Sequence, residues 1–166
     1  MGYAVNMQRA KETIEHVRKA MSLGASNKMG DTLGSMGMSL LCVPAQRSVE
    51  VSVTAREGVP AWIVEAAAKA EHVGCGNCGE QAAIAFMYLL DTLKAKPLDY
   101  MVRTNADHAF VVIGRKADSN EADFKTWGTD CIVCDPWAGA AFASSEIPKK
   151  AYKGTGFLAE SLCRWG

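Results

Sequence analysis

The chain reads as an α+β protein, on three observations. Helix-type patterns fill the first half and strand-type patterns the second, with no regular alternation between them. A stretch beginning at Cys78 is apolar on nearly every face, which places that helix in the interior. Short hydrophobic runs then follow one another, separated by polar or glycine-bearing segments, as in an antiparallel meander. The expected architecture is a central helix packed on a small antiparallel sheet.

Taken in order, residues 5–22 carry Val5, Ile14, Val17 and Met21 among charged residues, an amphipathic helix. Residues 23–39 hold Gly24, Gly30, Gly34 and Gly37 with Ser, Asn and Asp; they read as a linker loop, with a lid as the alternative. Ser48–Thr54 alternates Val49, Val51 and Val53 with polar neighbours, a half-buried strand. Pro60 suits the first turn of a helix that passes through Trp62, Ile63, Ala66, Ala67 and Ala70 to about His72. Gly74 and Gly76 stop it. The apolar helix runs from about Cys78 to Leu93, and Pro97 ends it. Strands are expected at Tyr100–Arg103, His108–Gly114 and Thr129–Cys134, with Arg115–Lys125 a polar hairpin loop. Residues 141–166 hold Pro148, Gly154 and Gly156 and read as loop, with a short helix at Leu158–Cys163. We expect one domain over 1–166, a helical segment and glycine-rich loop over 1–40 leading into a core over 41–166.

Composition sets outer bounds. The 166 residues are 49% hydrophobic and 22% charged, ordinary for a globular domain large enough to bury a core. Lys+Arg and Asp+Glu number 18 each, so the formal charge is zero. No basic run interleaved with aromatics is present, which argues against a nucleic-acid partner. The longest apolar stretch, around Ala82–Leu90, is too short to span a bilayer, so no membrane partner is expected. No Sec-type signal is visible, and the expectation is synthesis in a reducing cytosol with export by a dedicated secretion system left open. Six cysteines are present, at 42, 75, 78, 131, 134 and 163, but a chain with this much core does not need disulfides.

The chemistry concentrates in Gly74-Cys75-Gly76-Asn77-Cys78-Gly79-Glu80-Gln81-Ala82. A glycine-hinged turn there sets a cysteine at the mouth of the apolar helix. Unpaired N–H groups and the macrodipole at a helix N-terminus favour negative charge, hence thiolate over thiol. A nucleophilic thiol also needs a histidine to move the proton and a group to orient that histidine. Asp107-His108 precedes the run Ala109–Ile113, and Cys134-Asp135-Pro136-Trp137 ends the next strand. Adjacent antiparallel strands would bring His108 and Asp135 side by side. Cys78 is thus the candidate nucleophile, His108 the base and Asp135 the orienter. The Cys78 backbone N–H would supply one oxyanion donor, with Asn77 or another nearby amide as the second. Cys75 sits in the turn and is the poorer nucleophile. Asp107, next to His108 on a strand, should point to the opposite face. His16 and His72 read as surface or helix-end groups.

These segments, Gly76–Ala82, Asp107-His108-Ala109-Phe110, Trp127 and Asp135-Pro136-Trp137, resemble the papain-like and transglutaminase-like cysteine enzymes over about residues 74–137. The resemblance implies a thiol enzyme acting on acyl or amide groups: a deamidase, transglutaminase-like acyltransferase or peptidase, compact like bacterial effector and toxin domains. It matches Cys78, His108 and Asp135 to the triad and adds Asn77 and Trp137 as oxyanion or substrate-binding candidates. It implies no metal or cofactor, and a protein substrate, including a host or target-cell protein. Deamidation of a protein glutamine ranks first. Two features depart from the pattern. The Arg115–Lys125 insertion lengthens the His108–Asp135 spacing. Where papain-type peptidases carry a glutamine six residues before the nucleophile, this chain has His72.

The alternative is a non-catalytic binding module stapled by zinc or disulfides through Cys75, Cys78, Cys131 and Cys134. Two Cys-x-x-Cys pairs have ligand-like spacing, but Cys131-Ile132-Val133-Cys134 lies in a strand-like run, where residues three apart face opposite sides. A Cys75–Cys78 redox pair would want a strand before it, and here a helix precedes.

Overall fold

Helix α1 (Tyr3–Ala20), α2 (Met29–Gly34), α3 (Met38–Ser48), α4 (Ala61–Val73) and α5 (Cys78–Asp91) come first in the chain. Strands β1 (Leu98–Arg103), β2 (Ala109–Ile113), β3 (Ile132–Asp135) and β4 (Ala140–Ala143), the short helix α6 (Ile147–Lys150) and β5 (Ala159–Trp165) follow. This is a computed structural model; it describes residues 2–150 and 156–166, and Gly154 lies outside them. The strands form one antiparallel sheet in the order β4-β3-β2-β1-β5, so the chain is α+β.

Helix α5 is the centre of the molecule. Ala82, Ala83, Ile84, Ala85, Phe86 and Leu89 are all fully buried, and the strip carrying Met87, Tyr88 and Asp91 is half-buried. The helix packs on α1, α4 and the β1–β2 face of the sheet. The small residues Ala82, Ala83 and Ala85 let those neighbours approach closely, while Phe86 and Leu89 fill the remaining volume. One core unites α1, α4, α5 and this face, through Ile63, Ala67, Val111, Ile113, Ile132 and Cys134.

The opposite face of the sheet is buried too. Met101, Phe110, Val112 and Val133 meet Trp127, Cys131, Phe142 and Ile147. The segment between β2 and β3 supplies that cover. Trp127 is fully buried and donates its Nε1–H to the Asn120 carbonyl at 2.9 Å, and a 3-10 turn at Phe124–Thr126 brings Phe124 to the same cluster. The expected polar hairpin is therefore a covering layer, polar outside and aromatic beneath.

Several expectations are corrected. The glycine-rich loop 23–39 contains α2, and α3 runs through the expected boundary at residue 40 despite Pro44 within it. Ser48–Thr54 is not a strand: Val49, Val51 and Val53 are half-buried and alternate with exposed neighbours, but no strand pairs with them. Helix α5 ends at Asp91, well before Pro97. The segment Leu158–Cys163 lies mostly in strand β5, not in a helix. Its alternation is hidden by a bulge, since Tyr100 pairs with Cys163 and Met101 with Ser161, leaving Leu162 as an extra residue. The bulge switches faces, so Ala159 joins one core and Cys163 the other.

Cys42 and Cys75 form a disulfide, contrary to the expectation that none was needed. Apart from this bond, α3 rests on a small cluster of Val43 with Leu23 and Val73 and on the ion pair of Arg47 with Glu80. The staple thus fastens a lightly packed helix to the turn before α5. It closes a chain separation of 33 residues, for which loss of unfolded-state entropy alone corresponds to about 3–4 kcal/mol. Reduction with dithiothreitol, or Cys42→Ser, is expected to lower the thermal midpoint by about 10 °C. An unchanged midpoint under reduction would show that α3 is held by other contacts.

Candidate active site

Local chemistry explains the turn before α5. Gly74 takes a left-handed conformation (φ 82°) and its N–H closes α4 on the Ala70 carbonyl; a Cβ there would lie 2.6 Å from Ser22 Oγ. Gly76 is required differently, because a Cβ would sit 2.6 Å from the Cβ of Glu80. That close approach lets Glu80 fold back under the turn. Its Oε2 accepts the Asn77 backbone N–H at 2.9 Å, the return half of a capping box. Its Oε1 accepts from Arg47 Nε of α3 at 2.8 Å. Gln81 Nε2 donates to the Gly76 carbonyl at 2.9 Å, and the Tyr100 hydroxyl donates to the Gly79 carbonyl at 3.0 Å. Burial, followed by the charges of Cys78 and Glu80, keeps the Tyr100 phenol protonated. The first turn of α5 is thereby pinned from both sides of the cleft.

Cys78 is the first residue of α5 and lines a cavity of about 390 Å³. Its side chain meets His108, which stands one residue before β2. His108 Nε2 lies 2.7 Å from Asp135 Oδ2, so Nδ1 is the ring nitrogen that remains for the sulfur. Asp135 is the last residue of β3 and is buried; its other oxygen accepts the Ala138 N–H at 3.0 Å within the turn after Pro136. Strands β2 and β3 pair directly, which brings the histidine and the carboxylate to the same end of the sheet, where α5 begins. The three candidate residues are in one chain of contacts.

Burial opposes a charge on His108, but hydrogen bonds to Asp135 and Cys78, and their negative charges, more than offset it and raise the ring's pKa to about 9. The ring is therefore an imidazolium at neutral pH, donating to the carboxylate on one side and to the sulfur on the other. The remaining free cysteines have no such setting. Burial pushes the Cys131 thiol up to about 12, opposed in part by Ser144, and raises Cys134 and Cys163 as well.

Trp137 does not line the cavity as expected of a substrate-binding residue; its ring stands edge-on to His108, with centroids 5.5 Å apart. Asn77 does line it, but its Oδ1 is engaged by Ser26 N–H at 3.0 Å, Ser26 Oγ at 3.1 Å and Asn27 N–H at 3.4 Å. Asp107 shares the cavity with His108 instead of pointing away, because residues 104–108 form a turn, where strand alternation does not operate. His72 is exposed at the end of α4, and His16 stacks on Tyr88 at the surface.

The four-cysteine staple is overturned. Cys75 is bonded to Cys42, and Cys131 and Cys134 belong to the cores on opposite faces of the sheet. Among the described residues, no group of three or more His, Cys, Asp or Glu could hold a metal ion.

Sequence reasoning missed much of the cavity wall, including Asn27, Arg47, Trp62, Tyr100, Arg103 and Leu162. Trp62 stands edge-on to Tyr100 at 5.1 Å, and the bulge in β5 turns Leu162 toward the opening. Only Glu80 carried a readable signal, as the third helical residue after an Asn N-cap. Comparison with protein-family models, with curated proteins and with solved structures finds no match to this chain.

The charge on His108 makes stability depend on pH. Its folded value exceeds the 6.5 of a free histidine, so the stability tied to the protonated ring is complete below about pH 6.5. It is lost as pH rises through about 9. A ring titration by NMR should show a midpoint near 9, moved down in Asp135→Asn. A wild-type midpoint near 6.5 would remove the ion-paired site.

Proposed function

We propose that this chain is a cysteine-dependent amide hydrolase or acyl-transfer enzyme of the papain-like or transglutaminase-like type, with Cys78 as nucleophile, His108 as acid–base and Asp135 as orienter. The observation that carries the reading is the unbroken contact chain from Cys78 through His108 to Asp135, opening into a cavity at a helix N-terminus. Buried structural cysteines seldom have a cation against them and a cleft in front of them.

In the proposed cycle the Cys78 thiolate adds to the carbonyl carbon of a carboxamide, and the π-electron pair moves onto oxygen. The backbone N–H of Cys78, one of the first N–H groups of α5 without an intrahelical partner, is placed to meet that charge. The tetrahedral adduct collapses as His108 gives its proton to the departing nitrogen. The C–N bond breaks and a thioester remains on Cys78. His108, now neutral, removes a proton from water; the hydroxyl attacks the thioester, and the acid leaves as the thiolate is restored. Asp135 holds the imidazole in the orientation that both transfers need.

The substrate we assign first is a glutamine side chain on a protein, so that the leaving group is ammonia. This assignment follows the resemblance of the Cys78, His108 and Asp135 segments to small bacterial effector enzymes. The cavity suits an extended side chain: Trp62, Tyr100 and Val102 offer apolar wall, with polar groups at the reacting end.

Iodoacetamide with mass-spectrometric mapping is the first test. Cys78 should be alkylated selectively, with reactivity already present well below the ordinary thiol value of about 8.5. His108→Ala should slow alkylation by about 10²-fold or more. Casein then serves as a glutamine donor, with a fluorescent alkylamine added. Ammonia release without amine incorporation marks deamidation, incorporation marks transamidation, and chain fragments mark a peptidase. Each should vanish in Cys78→Ala while its thermal midpoint stays near wild type. Persistence of activity in that variant, or six cysteines of ordinary reactivity, would overturn the proposal.

A further inference from the structure

We propose that the outward face of α2 and α3 is the docking surface for the protein substrate, and that it receives an apolar helix face lying beside the residue to be modified. This rests on the thiol-enzyme reading above. Between Lys28 and Arg47 the usual partition of side chains is reversed. Met29, Leu33, Met36, Met38, Leu40 and Leu41 are all exposed, Met36 at 93%, Met29 at 80% and Leu33 at 72%. The other exposed positions of the stretch are glycine, proline or alanine. Its polar residues lie inward. Asp31 Oδ2 accepts the Ala25 N–H at 3.0 Å, Ser35 Oγ accepts the Ser39 N–H at 3.2 Å, and the Ser39 and Thr32 hydroxyls are 3.4 Å apart. Exposed hydrophobic residues scattered singly are ordinary, but a run of them with the polar groups turned inside marks an interaction surface.

Position, anchoring and charge commit this surface to the substrate. The stretch adjoins the cavity at both ends, since Asn27 just before it and Arg47 at its close line the wall. Its apolar character continues there in Trp62 and Leu162, which line the wall and are exposed to solvent. It is also fastened twice to the nucleophile's turn, by the Cys42–Cys75 disulfide and by Arg47 with Glu80. A partner seated on α2 and α3 is therefore held at a fixed place relative to Cys78. The only cations of the stretch are Lys28 and Arg47, and both are engaged within the protein. Lys28 Nζ donates to the Trp137 carbonyl at 2.9 Å and Arg47 Nε to Glu80 at 2.8 Å. That leaves no basic fringe for anionic lipid headgroups, the usual companion of a membrane-binding apolar face. An uncharged surface rich in unbranched methionine instead adapts to the apolar stripe of a helix, read through its i, i+3 and i+4 side chains. The cavity supplies the chemistry, and the α2–α3 face supplies the choice of protein.

The probe is a labelled peptide of about 18 residues, built from Leu, Lys, Glu and a single Gln so that it forms an amphipathic helix. A scrambled peptide of the same composition is the control. By fluorescence anisotropy, the Cys78→Ala protein should bind the amphipathic peptide at least about tenfold more tightly than the scrambled one. Combining Leu33→Glu, Met36→Glu and Leu41→Glu changes only exposed positions, so the thermal midpoint should stay near wild type. The triple variant should lose the preference. With Cys78 present, it should raise the KM for ammonia release from the amphipathic peptide by about tenfold or more, with kcat and iodoacetamide alkylation within about threefold of wild type. Equal binding of the two peptides, or a preference that survives the three substitutions, would overturn the docking surface. So would cosedimentation with phosphatidylcholine vesicles, or self-association in light scattering, that the substitutions abolish while peptide binding is unchanged. Face-dependent binding by a protein whose Cys78 has ordinary iodoacetamide reactivity would instead remove the thiol-enzyme reading, and with it the peptide's standing as substrate.

Discussion

Glu80 folding back beneath Gly76 is the contact on which the site's geometry depends. One carboxylate caps the start of α5 through Asn77 and simultaneously receives Arg47 from α3. The capping bond fixes where the helix begins, and hence which way Cys78 projects. The bond to Arg47, together with the Cys42–Cys75 disulfide, ties the wall formed by α3 to that same turn. Gly76 permits both, because a side chain at this position would collide with Glu80. Burial of most of α5 then removes the freedom to rotate or slide, since any shift would expose Phe86 or Leu89 or open voids around the alanines.

The sheet holds two buried charge clusters that differ in what they can do. In the first, Asp99 of β1 is fully buried and meets Arg115 at 2.6 Å, Arg164 of β5 at 2.8 Å and the Ser161 hydroxyl at 3.0 Å. Every partner of that carboxylate is fixed within the protein, so the cluster joins the edge strand to the sheet and the β2–β3 segment to both. Removing one charge would leave the others buried without compensation. In the second, His108 and Asp135 form a comparable pair, but the ring's remaining nitrogen faces a thiol in a cavity. The first cluster is closed on protein partners, whereas the second borders a cavity.

The central helix, the β1–β2–β3 meander and the positions of Cys78, His108 and Asp135 were legible because their signals are local. Apolar residues on all faces of 78–91, glycines at 74 and 76 and an Asp-Pro strand end are each short-range statements about packing or backbone. Strand β5 was not legible, because a bulge at Leu162 breaks the two-residue period on which strand reading depends. Helix α3 was hidden by Pro44 and by the glycines before it. The Val49–Val53 alternation was real as a burial pattern, yet no neighbouring strand supplies a ladder, so it remains extended chain. Asp107 failed for the reverse reason: strand alternation was applied to a turn.

Sequence by itself determined the order of elements, the identity of the buried helix and the residue types able to perform thiol chemistry. These follow from hydrophobic period, glycine placement and side-chain chemistry, all of which act over a few residues. Tertiary structure alone decided which cysteines pair, which oxygen of Glu80 serves which partner, and that Asn27 reaches a cavity 51 positions away along the chain. The reason is physical: those choices are made by side chains from elements remote in sequence competing for the same donors and the same space, and no short-range pattern records the winner.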